Sequence, residues 1–297
     1  MSARKQKRIF AVLGGAMGLV ALVLFLLLPR MLPPTDTAQR QARIENADLQ
    51  IHVIDVGQGD AMLLMTDGGC VLIDTGTNES EDALRAYLNG CGVERIEYMF
   101  LSHPHEDHMG GADMVLREYE VGTLVMSDLA PDADVGMQFT TALVESETDV
   151  VVPSVGDVYV SDGLSVTVLA PPDGGFESVN DNSLILRVEY GECSVMTTGD
   201  AEAEVEAWLL ANCDPALLDV DLLKAGHHGS DTSTGADFLA ALSPDYVAIS
   251  CGRGNTYNHP VQSVLDAIVR AGAQVCRTDT DGTLVFLSDG VTLWREK

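Results

Sequence analysis

The sequence predicts an α/β protein built from two sheet halves with helices outside both. From residue 49 onward, short apolar segments with strand-like patterning alternate with amphipathic helical segments, without repeats or low-complexity tracts. The apolar content of 46% over 297 residues is ample for a large core. Two sheets covered by helices are the simplest arrangement that buries so many elements around one core.

The first half of this region predicts a meander of strands and then alternating helices and strands. Gly-rich turns separate the first three strands, and Gly90 and Gly92 follow the first helix. The predicted elements are strands at Leu49 to Val56, Ala61 to Met65 and Cys70 to Asp74, a helix at Ser80 to Asn89, a strand at Tyr98 to Leu101, a helix at Ala112 to Glu118, a strand at Thr123 to Met126, a helix at Met137 to Glu145 and three strands between Val150 and Ala170.

The second half repeats this alternation with different lengths. Apolar residues from Val261 to Val269 recur at the spacing of one helix face, with Pro260 near the start. The other predicted elements are paired strands at Ser183 to Val188 and Cys193 to Thr197, a helix at Ala203 to Leu210, strands at Val220 to Lys224 and Tyr246 to Ser250 with a helix between them, and terminal strands at Gln274 to Arg277, Thr283 to Leu287 and Val291 to Trp294.

The first 48 residues predict a membrane anchor. Residues 9–28 are apolar and uncharged, which is long enough for a membrane-spanning helix. The basic segment 1–8 favours a cytoplasmic N-terminus and a domain outside. No small-x-small cleavage site follows clearly, so we prefer an uncleaved signal anchor to a cleaved signal peptide. Residues 29–48 then predict a linker and residues 49–297 an extracytoplasmic domain of a single-pass cell-membrane protein.

The formal charge of −28 is unevenly distributed. Residues 1–35 contain five basic residues and no acidic one, so the rest of the chain carries −33. An acidic body repels polyanions and lacks the basic stripe of proteins that grip nucleic acid by its phosphates. Acidity for solubility in an exposed environment explains the charge equally well.

Potential metal ligands are concentrated directly after the predicted strand at Tyr98 to Leu101. They form an H-x-H-x-D-H segment that consists of His103, His105, Asp107 and His108. Neutral imidazole and carboxylate suit zinc, and less selectively iron or manganese. The six cysteines show no C-x-x-C spacing, which argues against a Cys-rich zinc site and leaves their pairing open.

Two aspartates and the remaining histidines extend this set. Asp74 and Asp200 each end an apolar strand beside a glycine, where a ligand or another backbone segment approaches closely. Of the seven histidines, six form clusters at positions 103, 105 and 108, at 227 and 228, and at 259. The seventh, His52, is predicted to lie in a strand with a structural partner.

These motifs resemble the metallo-β-lactamase superfamily and, more narrowly, the C-terminal domain of ComEC-type competence proteins, which take part in DNA uptake. The resemblance implies a four-layer αββα sandwich and a metal-dependent hydrolase. The matching segments are Asp55 to Asp60, Leu72 to Gly76, the H-x-H-x-D-H segment, Asn182 to Leu184, Thr198 to Asp200, Leu223 to Ser230 and Asn255 to Pro260.

The resemblance also implies two sites for divalent ions, with zinc favoured and manganese the alternative. The implied ligands are His103 and His105 for the first metal, Asp107, His108 and His228 for the second with His227 as the alternative to His228, and Asp200 as the bridge. Many superfamily members supply a third His to the first metal, but no His occurs between Met109 and Gly226. The first site is therefore expected to be completed by solvent or by a residue near Asn180 to Asn182, or to bind its ion weakly.

The chemistry expected of such a site is hydrolysis by a metal-activated hydroxide. Two cations about 3.5 to 4 Å apart lower the pKa of a shared water and clamp both the attacking and the leaving oxygen. Asp107 and Asp200 would act with these ions. His259 would bind a phosphate oxygen or protonate the leaving group, or alternatively cap the following helix. Behind the ligands, the residues expected to support them are Asp74, Asn182 and Ser183.

The competence-protein resemblance favours phosphodiesters as substrates, with single-stranded DNA outside the cell as the candidate. One alternative is hydrolysis of esters or lactones, including phosphocholine-type esters. Another is a non-catalytic DNA-uptake or envelope module in which the metal only holds the fold. No protein partner follows from the sequence.

Overall fold

The structure of the protein, a computed structural model, describes residues 47–131 and 133–296. The predicted basic segment, membrane helix and most of the linker lie outside these residues. None of the helices in the described part is both long and apolar enough to cross a membrane. All six cysteines, which belong to this part, are free thiols.

The described residues form two mixed β-sheets. The first sheet consists of β1 (Leu49–Val53), β2 (Met62–Met65), β3 (Cys70–Ile73), β4 (Arg95–Leu101), β5 (Glu120–Met126), β6 (Asp149–Val151), β14 (Leu284–Ser288) and β15 (Leu293–Glu296). The second sheet consists of β7 (Val158–Ser161), β8 (Leu164–Ala170), β9 (Ile185–Tyr190), β10 (Cys193–Thr197), β11 (Leu222–Lys224), β12 (Tyr246–Ile249) and β13 (Gln274–Arg277). Their strand orders are β15-β14-β1-β2-β3-β4-β5-β6 and β13-β12-β11-β10-β9-β8-β7.

Helices connect these strands. They are α1 (Glu81–Gly90), α2 (Glu106–Met109), α3 (Ala112–Glu118), α4 (Ala133–Ser146), α5 (Ala203–Asn212), α6 (Ala236–Leu242), α7 (Gln262–Ala271) and α8 (Thr278–Asp281). Short 3-10 turns occur at Asn78–Ser80, Asn180–Asn182, Pro215–Leu217 and Gly226–Gly229.

The core has three apolar layers, which together define four layers of secondary structure. Within β3, Val71 and Ile73 join the cluster between the two sheets, while Leu72 points to the cluster under α1, α3 and α4. In β10, Val195 joins the central cluster and Met196 the cluster under α5, α6 and α7. The expected αββα sandwich is therefore confirmed.

The predicted strands and helices are confirmed as elements of the expected type, with differences at their ends. Helix α4 begins at Ala133, earlier than the predicted Met137, and includes Gly136, a weak helix former. The strand predicted from Val220 begins only at Leu222. His52 lies in β1, and its Nδ1 is 2.8 Å from the hydroxyl of Tyr87, so the expected structural partner exists.

Candidate metal centre

Parallel pairing brings the candidate ligands to one edge of the sandwich. Strands β3 and β4 are parallel neighbours, so Asp74 and His103 follow carboxyl ends at the same edge of the first sheet. Strands β10 and β11 are also parallel, so Asp200 and His228 follow neighbouring carboxyl ends of the second sheet. The carboxyl ends of parallel strands are where open α/β sheets bind ligands.

Two imidazoles and two carboxylates converge between the sheets. His108 Nε2 lies 3.1 Å from Asp200 Oδ1 and 4.0 Å from Asp107 Oδ1. His228 Nε2 lies 3.2 Å from Asp107 Oδ2 and 3.5 Å from Asp200 Oδ1. Among the described residues, the buried atoms His108 Nε2 and Asp200 Oδ1 have no partner with hydrogen-bond geometry. Such a donor set, with inward-facing atoms left unsatisfied, fits a divalent cation.

Acceptors behind the two imidazoles determine how the rings face. His108 Nδ1 is 2.9 Å from Asp74 Oδ2, and His228 Nδ1 is 3.1 Å from the carbonyl oxygen of Ser250. Asp74 also accepts hydrogen bonds from the backbone and hydroxyl of Ser102, at 2.7 and 2.8 Å. Since Nδ1 of each ring faces these acceptors, Nε2 is the nitrogen that faces the centre and is available to a metal ion once it is deprotonated.

His103 and His105 lie beside this group. His103 Nε2 is 2.9 Å from His105 Nδ1, and the rings of His103 and His108 are 4.2 Å apart. Burial and the neighbouring charge of His108 hold the pKa of His103 well below its usual range, so its ring is neutral. Ser183 Oγ lies 3.3 Å from His103 Nδ1 and accepts a 3.0 Å hydrogen bond from the backbone of Asp200. Ser183 therefore supports both residues from behind.

Asn182 is not brought to the centre. Its side-chain oxygen accepts a hydrogen bond from the Phe176 backbone, and its nitrogen donates to the carbonyls of Phe176 and Ser178. The amide therefore closes the loop 176–182. With both amide atoms engaged in this way, Asn182 offers no atom to complete the first metal site.

His227 and His228 reach different oxygens of Asp200. His227 Nε2 is 3.6 Å from Oδ2, whereas His228 approaches Oδ1. Both residues adopt left-handed backbone angles, with φ of 47° and 53°, a conformation that is uncommon for non-glycine residues. His228 is buried, while the half-buried His227 also contacts Thr232 at 3.2 Å. This geometry supports the preference for His228 in the second site.

His259 stands further out than the candidate ligands. Its ring lies 5.7 Å from the ring of His227 and stacks on Tyr257 at 5.8 Å. The buried Nδ1 of His259 has no hydrogen-bond partner among the described residues. The Asn255 side chain clamps the backbone of His259 and Gly252, which holds this loop in place.

Sequence analysis missed two buried charges at this site, Asp60 and Lys224. Asp60 lies 3.3 Å from His228 Nδ1 and 3.7 Å from His108 Nδ1, and Lys224 Nζ contacts its carboxylate. Asp60 shares a tight acidic and histidine cluster with His108, Asp200 and His228. Because it faces the Nδ1 side of both rings, we place it behind the ligands. The available signal was Lys224 at the end of a buried strand, since a buried ammonium requires a carboxylate nearby.

The electrostatics of the centre favour a bound cation. Burial alone would raise the pKa of Asp200, but His228 and His108 hold it well below its usual range. For His228 the effects have the opposite sign. Burial would lower its pKa, but the charges of Asp200 and Asp60 raise it to about 10. Without a cation, protons on the imidazoles balance the surrounding carboxylates. A divalent ion bound to deprotonated ligands would replace those protons.

An open groove of about 630 Å³ adjoins the cluster. Its lining includes the candidate ligands His105 and Asp107. The exposed Tyr257 and two acidic residues, Glu79 and Glu106, also line it. A substrate in this groove would therefore reach the metal centre directly.

Comparison with known proteins identifies the family. Residues 54–253 match the family model of the metallo-beta-lactamase superfamily. The chain belongs to the metallo-β-lactamase superfamily. The resemblance inferred from the motifs is thereby confirmed for the family.

Curated relatives of this superfamily member include proteins named for competence and recombination. ComE operon protein 3 of Bacillus subtilis is 33% identical over 255 residues, which cover 80% of this chain and 33% of the relative. Recombination protein 2 of Haemophilus influenzae is 32% identical over 238 residues, which cover 78% of this chain and 28% of the relative. The chain thus spans about a third of the length of these relatives.

Solved structures agree on the fold of this metallo-β-lactamase domain. The metallo-beta-lactamase fold protein YhfI from Bacillus subtilis superposes with a TM-score of 0.55 at 13% identity, covering 83% of this chain and 99% of that one. At this identity, the likeness supports the fold alone. Family membership and the buried Asp and His cluster support a metal-dependent hydrolase.

Proposed function

We propose that the chain is a membrane-anchored, extracytoplasmic phosphodiesterase or nuclease related to the domain of competence proteins that function in DNA uptake. The observation that carries this proposal is the convergence of His108, His228, Asp107 and Asp200 beside an open groove. The similarity to Recombination protein 2 supports a substrate connected with DNA.

The geometry supports the following assignment of metal-holding residues. Asp107, His108 and His228 would hold one ion, with Asp200 between it and a second ion near His103 and His105. Zinc is the favoured ion and manganese the alternative, and the first site is expected to be the weaker because no third His supports it. A bound divalent ion supplies Lewis acidity and an activated water for the displacement.

His259 is proposed to contact the substrate from the rim of the centre. Burial and the charges of His227 and His228 lower the pKa of His259, so its ring is neutral near pH 7. A neutral ring carries one N–H, which donates to a phosphate oxygen or to the leaving group. The alternative role in capping α7 receives no support, because the helix begins after Val261 without a side-chain cap.

Acidic residues in the groove favour a second candidate function, the hydrolysis of esters or lactones. Glu79 and Glu106 line the groove, and the chain carries a formal charge of −28. Carboxylates in the groove repel a polyanion, whereas an uncharged ester, a lactone or a phosphocholine-type ester with its cationic headgroup meets no such repulsion. The third candidate, a module with a purely structural metal, predicts bound ion without turnover.

Substrate assays on the full chain in detergent distinguish these functions. Protein loaded with zinc or manganese is compared on an aryl phosphodiester, single-stranded DNA, a phosphocholine ester and a lactone. We expect phosphodiester turnover that chelation abolishes and that Asp107→Ala reduces at least a hundredfold, while Asp237→Ala, an exposed carboxylate on α6, leaves it unchanged. Full phosphodiester turnover by Asp107→Ala would refute the leading proposal, and retained metal without any turnover would favour the structural module.

The proposed topology has a separate test. Membrane fractionation followed by protease treatment of intact cells should place the chain in the membrane, with the domain cleaved from outside. Recovery of the full chain in the soluble fraction, or full protection from external protease, would contradict the proposed anchor and orientation.

A further inference from the structure

Lys224 is an almost completely buried cation at the end of β11. Its side chain is only 2% exposed, although an unpaired buried ammonium costs several kcal/mol, on the order of the desolvation penalty of one ion. The Nζ atom contacts the carboxylate of Asp60 and donates a 3.1 Å hydrogen bond to the carbonyl of Gly199. Lys224 therefore links two loops that belong to different sheets.

Asp60 connects this lysine with both imidazoles of the cluster. Its Oδ1 is 3.3 Å from His228 Nδ1 and its Oδ2 is 3.7 Å from His108 Nδ1. Its backbone N–H donates to the carbonyl oxygen of Asp107 at 3.0 Å. One residue thus contacts the backs of two candidate ligands and the backbone of a third.

The second contact of Lys224 supports the bridging carboxylate. Gly199, whose carbonyl accepts the hydrogen bond from Lys224, directly precedes Asp200. The hydroxyl of Thr198 donates in turn to the backbone carbonyl of Lys224 at 3.3 Å. The peptide that carries Asp200 is therefore tied to Lys224 from two sides.

Stability alone explains this ion pair poorly. Replacing a buried ion pair by apolar residues is often neutral or stabilising, whereas removing one partner costs about 3 to 5 kcal/mol. A pair placed against the metal-binding side chains has a second effect, because it restrains the rings and loops that present the ligands.

We propose that the Asp60–Lys224 pair is a positioning device for the metal centre. Asp60 adds a negative charge behind the Nδ1 atoms of His228 and His108, whose rings hydrogen-bond to Ser250 and Asp74. Its backbone N–H fixes the carbonyl of Asp107. Lys224 holds both Asp60 and the peptide before Asp200 in register. The inference rests on metal binding at the proposed site but not on any particular substrate.

Metal affinity measured on the chelator-stripped full chain tests this proposal. Zinc is titrated calorimetrically in competition with a chelator of known affinity, and thermal midpoints are recorded without metal. We expect Asp60→Asn and Lys224→Met each to weaken zinc binding roughly 10- to 100-fold, the range found for partners behind metal ligands. Each should also lower the metal-free midpoint, because each leaves one buried charge unpaired.

The double variant with Asp60→Asn and Lys224→Met separates positioning from stability. It contains no unpaired charge, so its metal-free midpoint should return toward that of the original protein while zinc binding stays weak. Arg187→Met is the matched control, since Arg187 is a buried cation on β9 that bonds the carbonyls of Leu217 and Asp219. This control should lose stability and keep its zinc affinity.

Zinc affinity at the original level in the double variant would overturn the proposal and leave the pair a structural element. If Lys224→Met fails to fold, Lys224→Arg and Asp60→Asn test the proposal instead, because both keep a polar group at the site. Unchanged zinc affinity in both variants would also overturn the proposal. A chain that binds zinc tightly yet cleaves no phosphodiester would refute the proposed function without touching this inference. A chain that binds neither zinc nor manganese would refute both.

Discussion

His228 Nε2 lies 3.2 Å from Asp107 Oδ2, although 121 residues separate the two positions. Asp107 follows β4 of the first sheet and His228 follows β11 of the second, so this contact joins the two halves of the sandwich. The candidate metal centre therefore exists only when both sheets are packed together. Metal binding should consequently stabilise the folded domain.

Replacing each member of the histidine pair should show which one is the ligand. His228→Ala removes the ring that faces Asp107, and we expect it to weaken zinc binding more than the roughly 10- to 100-fold typical of an outer partner. His227→Ala should cost less, because His227 lies 3.6 Å from the other oxygen of Asp200 and is partly solvated. Competition titration of both variants measures this order, and the reverse order would assign the site to His227.

Gly59 is expected to be essential for the position of Asp107. A Cβ at Gly59 would collide with the backbone carbonyl of Asp107, which cannot move aside as a flexible side chain would. We expect Gly59→Ala to destabilise the metal-free domain by about 1 to 3 kcal/mol, the usual cost of overpacking. Denaturant unfolding measures the loss. Gly90→Ala is the control, since a Cβ there meets nothing within 4 Å.

His52 should make the domain less stable in mild acid. Burial lowers the pKa of His52 from 6.5 to about 4, so the folded state takes up this proton only at lower pH than the unfolded state does. The contribution of neutral His52 to the stability of the folded state is thus fully present above pH 6.5 and is lost as the pH falls toward 4. The free energy of unfolding should fall by about 3 kcal/mol at most through the protonation of His52.

Chemical unfolding of the metal-free protein between pH 7 and 4 tests this prediction. The free energy of unfolding of His52→Gln should fall less across this pH range than that of the original protein, because glutamine does not titrate. Parallel curves for the two proteins would show that His52 does not cause the loss.

Zinc binding should strengthen as the pH rises from 5 to 8. The pKa of His228 is raised to about 10 and that of His108 well above its usual range, so both rings are protonated without metal throughout this window. The ion held by His108 and His228 must then displace about two protons. Calorimetry in buffers with different ionisation enthalpies counts the released protons, and His228→Ala should release one fewer. Affinity that is independent of pH would contradict this protonation pattern.

Much of the local structure could be predicted because it depends on neighbouring residues. Period-two and helical spacing of apolar residues predicted the strands and helices, and their main errors lie at ends such as those of α4 and β11. The H-x-H-x-D-H segment predicted a metal centre since its ligand types and spacing are rare in a plain loop. The roles of its individual residues remain predictions.

By itself, the sequence determined the α/β class, the chemical types of the ligands and the strand ends from which they come. Only the tertiary structure decided that His228 rather than His227 meets Asp107, that Asn182 closes its own loop and that Asp60 and Lys224 stand behind the imidazoles. The physical reason is that ring direction depends on acceptors from distant segments. Those segments become neighbours only through parallel strand pairing and the packing of one sheet on the other.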